Sequence, residues 1–403
     1  MKIAGILTIG NEILQGYTQD TNARSISKEL NIRNIKTTIH LTVPDEIHKI
    51  KEKIDKFVIK DYDYIFITGG LGPTHDDVTR QALSELFESK LVFQKDRHIK
   101  ITKKFKKIDL PKCQSEIIKI SEPLENNVGT ALGMHFKYNN SEIVVLPGVP
   151  IEMNSMLQSY LTDIKKIKKV ENNVVTINTC GIYETKLYEK VKDFIFKNDK
   201  DIYFSFLPSY EGVKIRLTSL SKNSKLQKIK TDLLSILDEY AYSIDNVSLE
   251  MIVSKYLINN DLKLSISESC TGGYISKVIT DIPGSSKFFM GSIIAYNNMI
   301  KQNIVNISSS DLQKYGAVSQ QVCEKMAVNI SKKFKTNVSI ACTGISGPEG
   351  GSSDKPVGTV FVSVFYFGEI ITKKFIFNVD RDSHRIMTKQ ASLYMLWRIL
   401  KEI

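Results

Sequence analysis

The sequence predicts an α/β protein of three domains: a parallel-sheet domain over residues 1–166, a small α+β domain over 167–246 and a second α/β domain over 247–403. Three observations lead there. A chain of 403 residues exceeds what one hydrophobic core usually serves. Short apolar runs of strand length alternate with amphipathic runs of helix length towards both ends of the chain, the pattern of a sheet with crossover helices. Glycine-rich turns close several of those runs, where open α/β sheets bind their ligands.

In the first domain KIAGILTIG reads as a buried strand, and DTNARSISKEL as a helix with Asp20 or Thr21 near its N-cap. IKTTIHLTV is a strand, Asp45 to Lys60 carries helical spacing, and DYDYIFITGG is a strand broken by glycines. DDVTRQALSELFE is the next helix; EIVVLPGVP is a later strand and turn, with IEMNSMLQSYL as its helix. A boundary is expected at Lys165–Lys169 and the ENN that follows. Beyond it, VVTINTCGIYETKLYEKVKDFIF gives a strand, a turn at Gly181 and a helix, IYFSFLPSYEGVKIRLTSL a hairpin, and SKLQKIKTDLLSILDEYAYSI a helix. The third domain starts near Ser248 with the helix LEMIVSKYLINN. KLSISES is a strand ending at TGG, YISKVITDI a helix, SIIAY a strand and SQQVCEKMAVNISKKF an amphipathic helix. NVSIACTG runs into the loop ISGPEGGSSDKPVG, GTVFVSVFY and TKKFIFNV are strands, and a helix from about Arg381 closes the chain.

Composition narrows the class. No apolar run approaches the roughly 18 to 20 residues needed to span a bilayer, so no membrane partner is expected. MKIAGILTIGNEIL lacks a small-residue cleavage site and reads as a first strand, not a signal peptide. Five scattered cysteines, an odd number, suggest a reduced, cytoplasmic protein. The net charge of +11 is read as a lysine-rich solvated surface. Its clusters, Arg97–Lys107 and Lys165–Lys169, lack the interleaved aromatics of a single-strand binder, so nucleic acid is not the expected partner.

Two strand-end loops carry candidate chemistry. In TGGLGPTHDDVT, Gly69, Gly70 and Gly72 would let backbone amides approach a phosphate, with Asp76 and Asp77 at the start of the next helix. One aspartate suffices as a cap; the second suggests a metal or a ligand hydroxyl. Glu12 in GNEIL and Asp20 with Asn22 in DTN would add oxygen ligands, a set suited to a divalent cation of the magnesium type. The blocks GNEIL, DTN, TGGLGPTHDDVT, NNVGTALG and LPGVPIEM together resemble the amino-terminal domain of the CinA family, which is related to molybdopterin-binding domains. The resemblance implies metal-dependent hydrolysis of ADP-ribose, with Asp76 and Asp77 on metal or substrate and the three glycines around the phosphates. An alternative keeps the fold and gives this domain a molybdopterin-type nucleotide. Leu132 stands where the family often has proline. The middle segment, through CGIYE and LPSYEGVKIRLTS, resembles the KH-like domain of longer CinA proteins. It has no GXXG loop to clamp nucleic-acid phosphates, and reads as a spacer or dimerisation module.

In the third domain, ESCTGG ends a strand and begins a helix, which would offer amides around Gly272 and Gly273 to an anion. PGSSKFF carries Ser285 and Ser286, AYNNMIK carries Tyr296 and Lys301, and CTGISGP carries Thr343, Gly344 and Gly347. No histidine lies between His135 and His384, so a nucleophilic serine here would use lysine as its base, with tyrosine relaying the proton. Taken singly these residues read better as a capping serine, a cross-strand tyrosine and a surface lysine; the ten-residue step from Ser286 to Tyr296 and the glycine-rich loops on two other strand ends bring the two readings level. ESCTGG, DIPGSS, AYNNMIK, GAVSQQV, ACTGISGPEGG and KPVGTVFV together resemble the carboxy-terminal CinA domain, which also occurs alone as nicotinamide mononucleotide deamidase. That resemblance implies a cofactor-free conversion of nicotinamide mononucleotide to nicotinate mononucleotide and ammonia. It places Ser286 as nucleophile, Lys301 as base and Tyr296 as its assistant. Ser269 and Thr343 would bond the substrate or the oxyanion, and Arg381 or Arg385 in DRDSHR would meet the phosphate. Val379 replaces the family's glycine before DR. A homodimer is expected. A DNA-uptake binding protein, suggested by the family's link to competence, is the alternative class.

Overall fold

The computed structural model describes residues 2–105, 110–168, 174–219, 225–245 and 247–402, and divides into two compact units, residues 1–171 and 172–403. The expected boundary at Lys165–Lys169 and ENN falls partly on residues 169–173, outside the described residues, as does the end of the Arg97–Lys107 stretch. The boundary at Asn246 also lies outside them.

The first unit is built on a six-stranded sheet in the order Ile35–Val43, Lys2–Ile9, Tyr64–Thr68, Ser141–Leu146, Gly133–Tyr138, Glu122–Leu124. The first four strands are parallel and the last two antiparallel. Alternate residues of Lys2–Ile9 serve opposite faces, as a doubly covered strand requires. Leu7 and Ile9 pack with Ile50, Ile54 and Leu83, while Ala4 and Ile6 pack with Ile26, Leu30 and Met153. Asp20 caps the Thr21–Asn31 helix by accepting from the Ala23 amide, as its position before TNARS suggests. The helix expected from Asp76 begins only at Thr79, and Asp76 and Asp77 stand in the turn before it.

The second unit contains two sheets. Val174–Thr179, Ile202–Ser209, Gly212–Ser219 and Ala241–Ile244 form an antiparallel sheet whose core includes Leu187, Val191, Leu233 and Leu237 from two helices. The other sheet runs Phe289–Ile294, Leu264–Glu268, Val338–Gly344, Thr359–Tyr366, Glu369–Ile376. Its first three strands are parallel, and the last two continue as an antiparallel meander. Leu264, Ile266, Ile340 and Cys342 face a core shared with the closing helix Arg381–Leu400, while Ala341 and Phe361 face the helix Gln320–Phe334. The carboxyl ends of the three parallel strands therefore open together onto loops, the usual ligand edge of such a sheet.

Candidate active site

That edge holds an open pocket lined in part by Ser269, Cys270, Tyr296, Lys301, Thr343, Gly344, Ser346 and Arg381. Ser269 directly follows its strand, tied across the sheet by its amide to the Cys342 carbonyl at 3.1 Å. Lys301 comes from the short helix Asn298–Asn303, whose cap Asn297 accepts from the Met299 amide. One turn inside that helix, Lys301 is turned inward and is 1 % exposed. Its Nζ donates to Ala295 O at 2.6 Å and to Tyr296 O at 3.2 Å, and lies 3.0 Å from Ser269 Oγ. Burial pulls the amine below its usual 10.5, against an opposing effect of Cys270 and Cys342. With two carbonyls holding two N–H groups, the lone pair of a neutral Lys301 is left for the Ser269 hydroxyl. The geometry is a serine next to a ready base.

This corrects the sequence reading of Ser286. Ser286 lies in the exposed turn Ser285–Lys287, before the strand Phe289–Ile294, whereas Tyr296 follows it. The Phe288 carbonyl bonds the Leu264 amide, at the amino end of the neighbouring strand. A strand of 6 residues spans about 20 Å, so Ser286 and Lys301 sit at opposite edges of the sheet. The serine brought to the lysine is Ser269.

The amides expected to cradle an anion after ESCTGG are also spoken for. Glu268, fully buried, accepts from Gly273 N at 3.0 Å, Ile275 N at 3.1 Å, Ser276 N at 2.8 Å and from the Thr271 and Ser276 hydroxyls. The Gly272 amide bonds Ser269 O at 3.1 Å. Gly272 and Gly273 therefore shape the Ser269 turn, with φ of +60° and +96°, and their amides are engaged within it. A carboxylate sitting in the helix N-terminus is what the macrodipole favours, and Glu268 supplies it from within the chain.

The remaining predicted residues divide. Thr343 lines the pocket but gives its hydroxyl proton to Ala317 O at 2.8 Å, so it can accept from a ligand and not donate to an oxyanion. Gly344 lines the pocket; Gly347 holds Arg381, whose Nη1 donates to Gly347 O at 2.9 Å. Arg381 Nη2 donates to the Tyr296 hydroxyl at 2.7 Å, so the tyrosine and the arginine form one polar wall. Arg385 is spent on Thr271 O, through Nε at 3.0 Å and Nη2 at 2.9 Å. Despite Val379, Asp380 caps the closing helix through Asp382 N and Ser383 N, which sets Arg381 at its first residue. The sequence reading missed Glu268, Ser346 and His384. Glu268 carried a signal, an acid six residues before a predicted helix start.

In the first unit the expected residues are mostly engaged with one another. Asp77 accepts from Gly72 N at 2.7 Å and Thr74 N at 2.9 Å, which braces the loop and uses the Gly72 amide. Gly69 bonds Leu146 O, and a Cβ on Gly69 or Gly70 would lie 2.1 Å from Ile9 O or 2.2 Å from Thr79 Oγ1. Asp20 accepts from Ala23 N and from Thr8 Oγ1. Glu12 and Asp76 are exposed; desolvation, and then their charges, raise the Asp45 carboxyl, which the sequence reading also missed. Among the described residues no group of three or more His, Cys, Asp or Glu is placed to hold a metal. Asp76, Asp77, Glu12 and Asp20 thus do not fit a four-ligand cation cage, because two of them serve the backbone. Asn22 donates to Thr68 Oγ1 and Gly148 O while its buried Oδ1 has no partner, leaving one acceptor at these strand ends.

Comparison with known proteins adds lineage to this geometry. Residues 5–166 match the family model described as probable molybdopterin binding domain, and residues 246–400 match the CinA C-terminal domain. A CinA-like protein of Thermosipho melanesiensis is 37% identical over 99% of this chain and 100% of its own length. A CinA-like protein of Pseudothermotoga lettingae is 34% identical over 100% of both. Among solved structures, the protein CinA with unknown function from Thermoplasma acidophilum is 32% identical, covering 40% of this chain and 98% of that one, with a TM-score of 0.38. No helix among the described residues is long and apolar enough to cross a membrane.

Proposed function

The chain belongs to the CinA family, with a molybdopterin-binding-like domain at its amino end, and on that premise we propose that its carboxy-terminal pocket is an amidohydrolase site acting on nicotinamide mononucleotide. The observation that carries the reading is the buried Lys301 amine against Ser269 Oγ. Ser269 Oγ attacks the carboxamide carbon while its proton passes to Lys301 Nζ. The tetrahedral intermediate collapses by breaking the C–N bond, and ammonia leaves with the proton that Lys301 returns, directly or relayed through the Tyr296 hydroxyl, so that Lys301 is neutral again. Water then attacks the acyl-Ser269 ester, again losing its proton to Lys301, and nicotinate mononucleotide and the free serine result. The amide of Cys270, next to Ser269 on the pocket wall, is the candidate for stabilising the oxyanion. Arg381 supplies positive charge for the phosphate. The choice of a nicotinamide nucleotide draws on the family resemblance; the amide chemistry draws on the serine and lysine. Product analysis of the purified protein tests it: equimolar ammonia and nicotinate mononucleotide are expected, and their absence would refute it.

For the amino-terminal unit we propose a nucleotide site at the strand ends, hydrolysing the diphosphate of ADP-ribose. The buried, unpartnered Asn22 Oδ1, beside Thr68 and Gly148 at these strand ends, favours a ligand there. No step is assigned to a metal, because the residues do not form its cage. Turnover of ADP-ribose is the test, with a pterin adenylate as the competing substrate and divalent cation as a variable.

A further inference from the structure

One hydroxyl on the pocket wall has its proton committed to a histidine behind it. Ser346, in the loop after Val338–Gly344, lines the pocket with Arg381 and Thr343 and is itself buried. Its Oγ lies 2.9 Å from Nδ1 of His384, which is fully buried in the first turn of the closing helix. The other ring nitrogen, Nε2, is 3.2 Å from the Gly358 carbonyl. A carbonyl only accepts, so Nε2 carries the ring proton, and Nδ1 of the neutral ring must accept from Ser346. Ser346 then shows the pocket lone pairs alone.

We propose that Ser346 is a specificity residue that accepts a hydrogen bond from a donor on the substrate, and that His384 is the positioning residue that fixes it as an acceptor. The inference rests on this pocket being the amidase site. It adds what the wall reads: an N–H or hydroxyl donor, which in a nicotinamide ribotide means the carboxamide nitrogen or a ribose hydroxyl. Around the ring, Ser346, the Gly358 carbonyl and the Phe377 ring at 5.9 Å are uncharged, and Arg381 on the same helix is the charged neighbour. Burial first, with Arg381 assisting against the Gly358 carbonyl, holds the imidazole below its usual 6.5. When acid does protonate it, Nδ1–H donates to Ser346, whose own proton swings into the pocket. The wall then offers a donor where the substrate also has one.

The test has a substrate-free arm and a kinetic arm. In the free protein labelled with 15N-histidine, the resonance lost in His384→Asn should show the Nε2–H tautomer; an Nδ1–H tautomer overturns the proposal. In turnover of nicotinamide mononucleotide, Ser346→Ala should raise KM about 5- to 10-fold, the loss of one hydrogen bond, with kcat falling less than about twofold. The wild-type KM should rise towards acid pH, and that limb should vanish in Ser346→Ala. His384→Asn, which keeps an acceptor at the Nδ1 position, should restore most of the affinity that His384→Leu loses. Ribose-deoxy analogues locate the donor: the Ser346→Ala effect disappears for the analogue lacking it, and persists for all of them if the carboxamide is read. An unchanged KM in a Ser346→Ala enzyme that turns over normally overturns the inference. Absence of turnover in the wild-type protein refutes the amidase reading and the substrate role of Ser346 with it, while the tautomer result stands apart.

Discussion

Glu268→Gln should loosen the turn that carries Ser269. All five partners of this buried carboxylate are donors: the amides of Gly273, Ile275 and Ser276 and the hydroxyls of Thr271 and Ser276. Glutamine must aim its NH2 at one group of them. Aimed at Ser276, it leaves that amide facing a donor, while the Ser276 hydroxyl can rotate to accept. The other orientation opposes the Gly273 and Ile275 amides and the Thr271 hydroxyl and costs more. One buried amide without an acceptor costs about 1–3 kcal/mol. Losing the negative charge at the start of the Tyr274–Thr280 helix adds roughly 0.3–1 kcal/mol. A total of about 1.3–4 kcal/mol corresponds to a fall of roughly 3–16 °C in the unfolding midpoint of a unit this size. Calorimetry of wild type and variant reads it directly. A shift below about 1 °C would refute the claim that Glu268 fills the helix terminus, and would reopen that terminus as an anion site.

Other expectations follow from the same geometry. Lys301 acts as a base when neutral, so kcat should rise with pH through a value below 10.5 and then level, and Lys301→Arg, which stays protonated, should lose about a hundredfold or more. Between that depressed value and 10.5 the unfolded chain binds the extra proton, so stability should rise with pH there; titrated urea melts of Lys301→Met should lack that slope. Arg381→Ala should raise KM roughly 10- to 100-fold for the mononucleotide and far less for the riboside without phosphate, measured side by side. Asp77→Ala should destabilise the amino-terminal unit by about 0.5–1.5 kcal/mol in denaturant melts, through the lost bonds to the Gly72 and Thr74 amides, and leave deamidation untouched.

Much of this was legible in the residues. Strand-length apolar runs alternating with amphipathic helices locate the parallel strands, because a strand covered on both faces must be apolar throughout. The short strands Glu122–Leu124 and Gly133–Tyr138 escape such a reading, since strands of three and six residues carry little periodicity. Tyr296 and Lys301 stand out through the absence of histidine. The choice of serine fails for a geometric reason. Ser286 is ten residues from Tyr296 but a full strand separates them, whereas Ser269 is 32 residues from Lys301 and comes next to it through parallel pairing. Gly272 and Gly273 mislead in the same way: amides at a helix start do suit an anion, but Glu268 folds back into them. His384 and Ser346, 38 residues apart, meet only because the closing helix returns to the strand ends.

The central claim is that Ser269, and not Ser286, is the nucleophile served by Lys301. Ammonia release from nicotinamide mononucleotide by folded Ser269→Ala and Ser286→Ala proteins tests it most directly. The account predicts a loss of about a thousandfold or more in Ser269→Ala and a rate within about twofold of wild type in Ser286→Ala. The reverse pattern, an inactive Ser286→Ala beside an active Ser269→Ala, would contradict it.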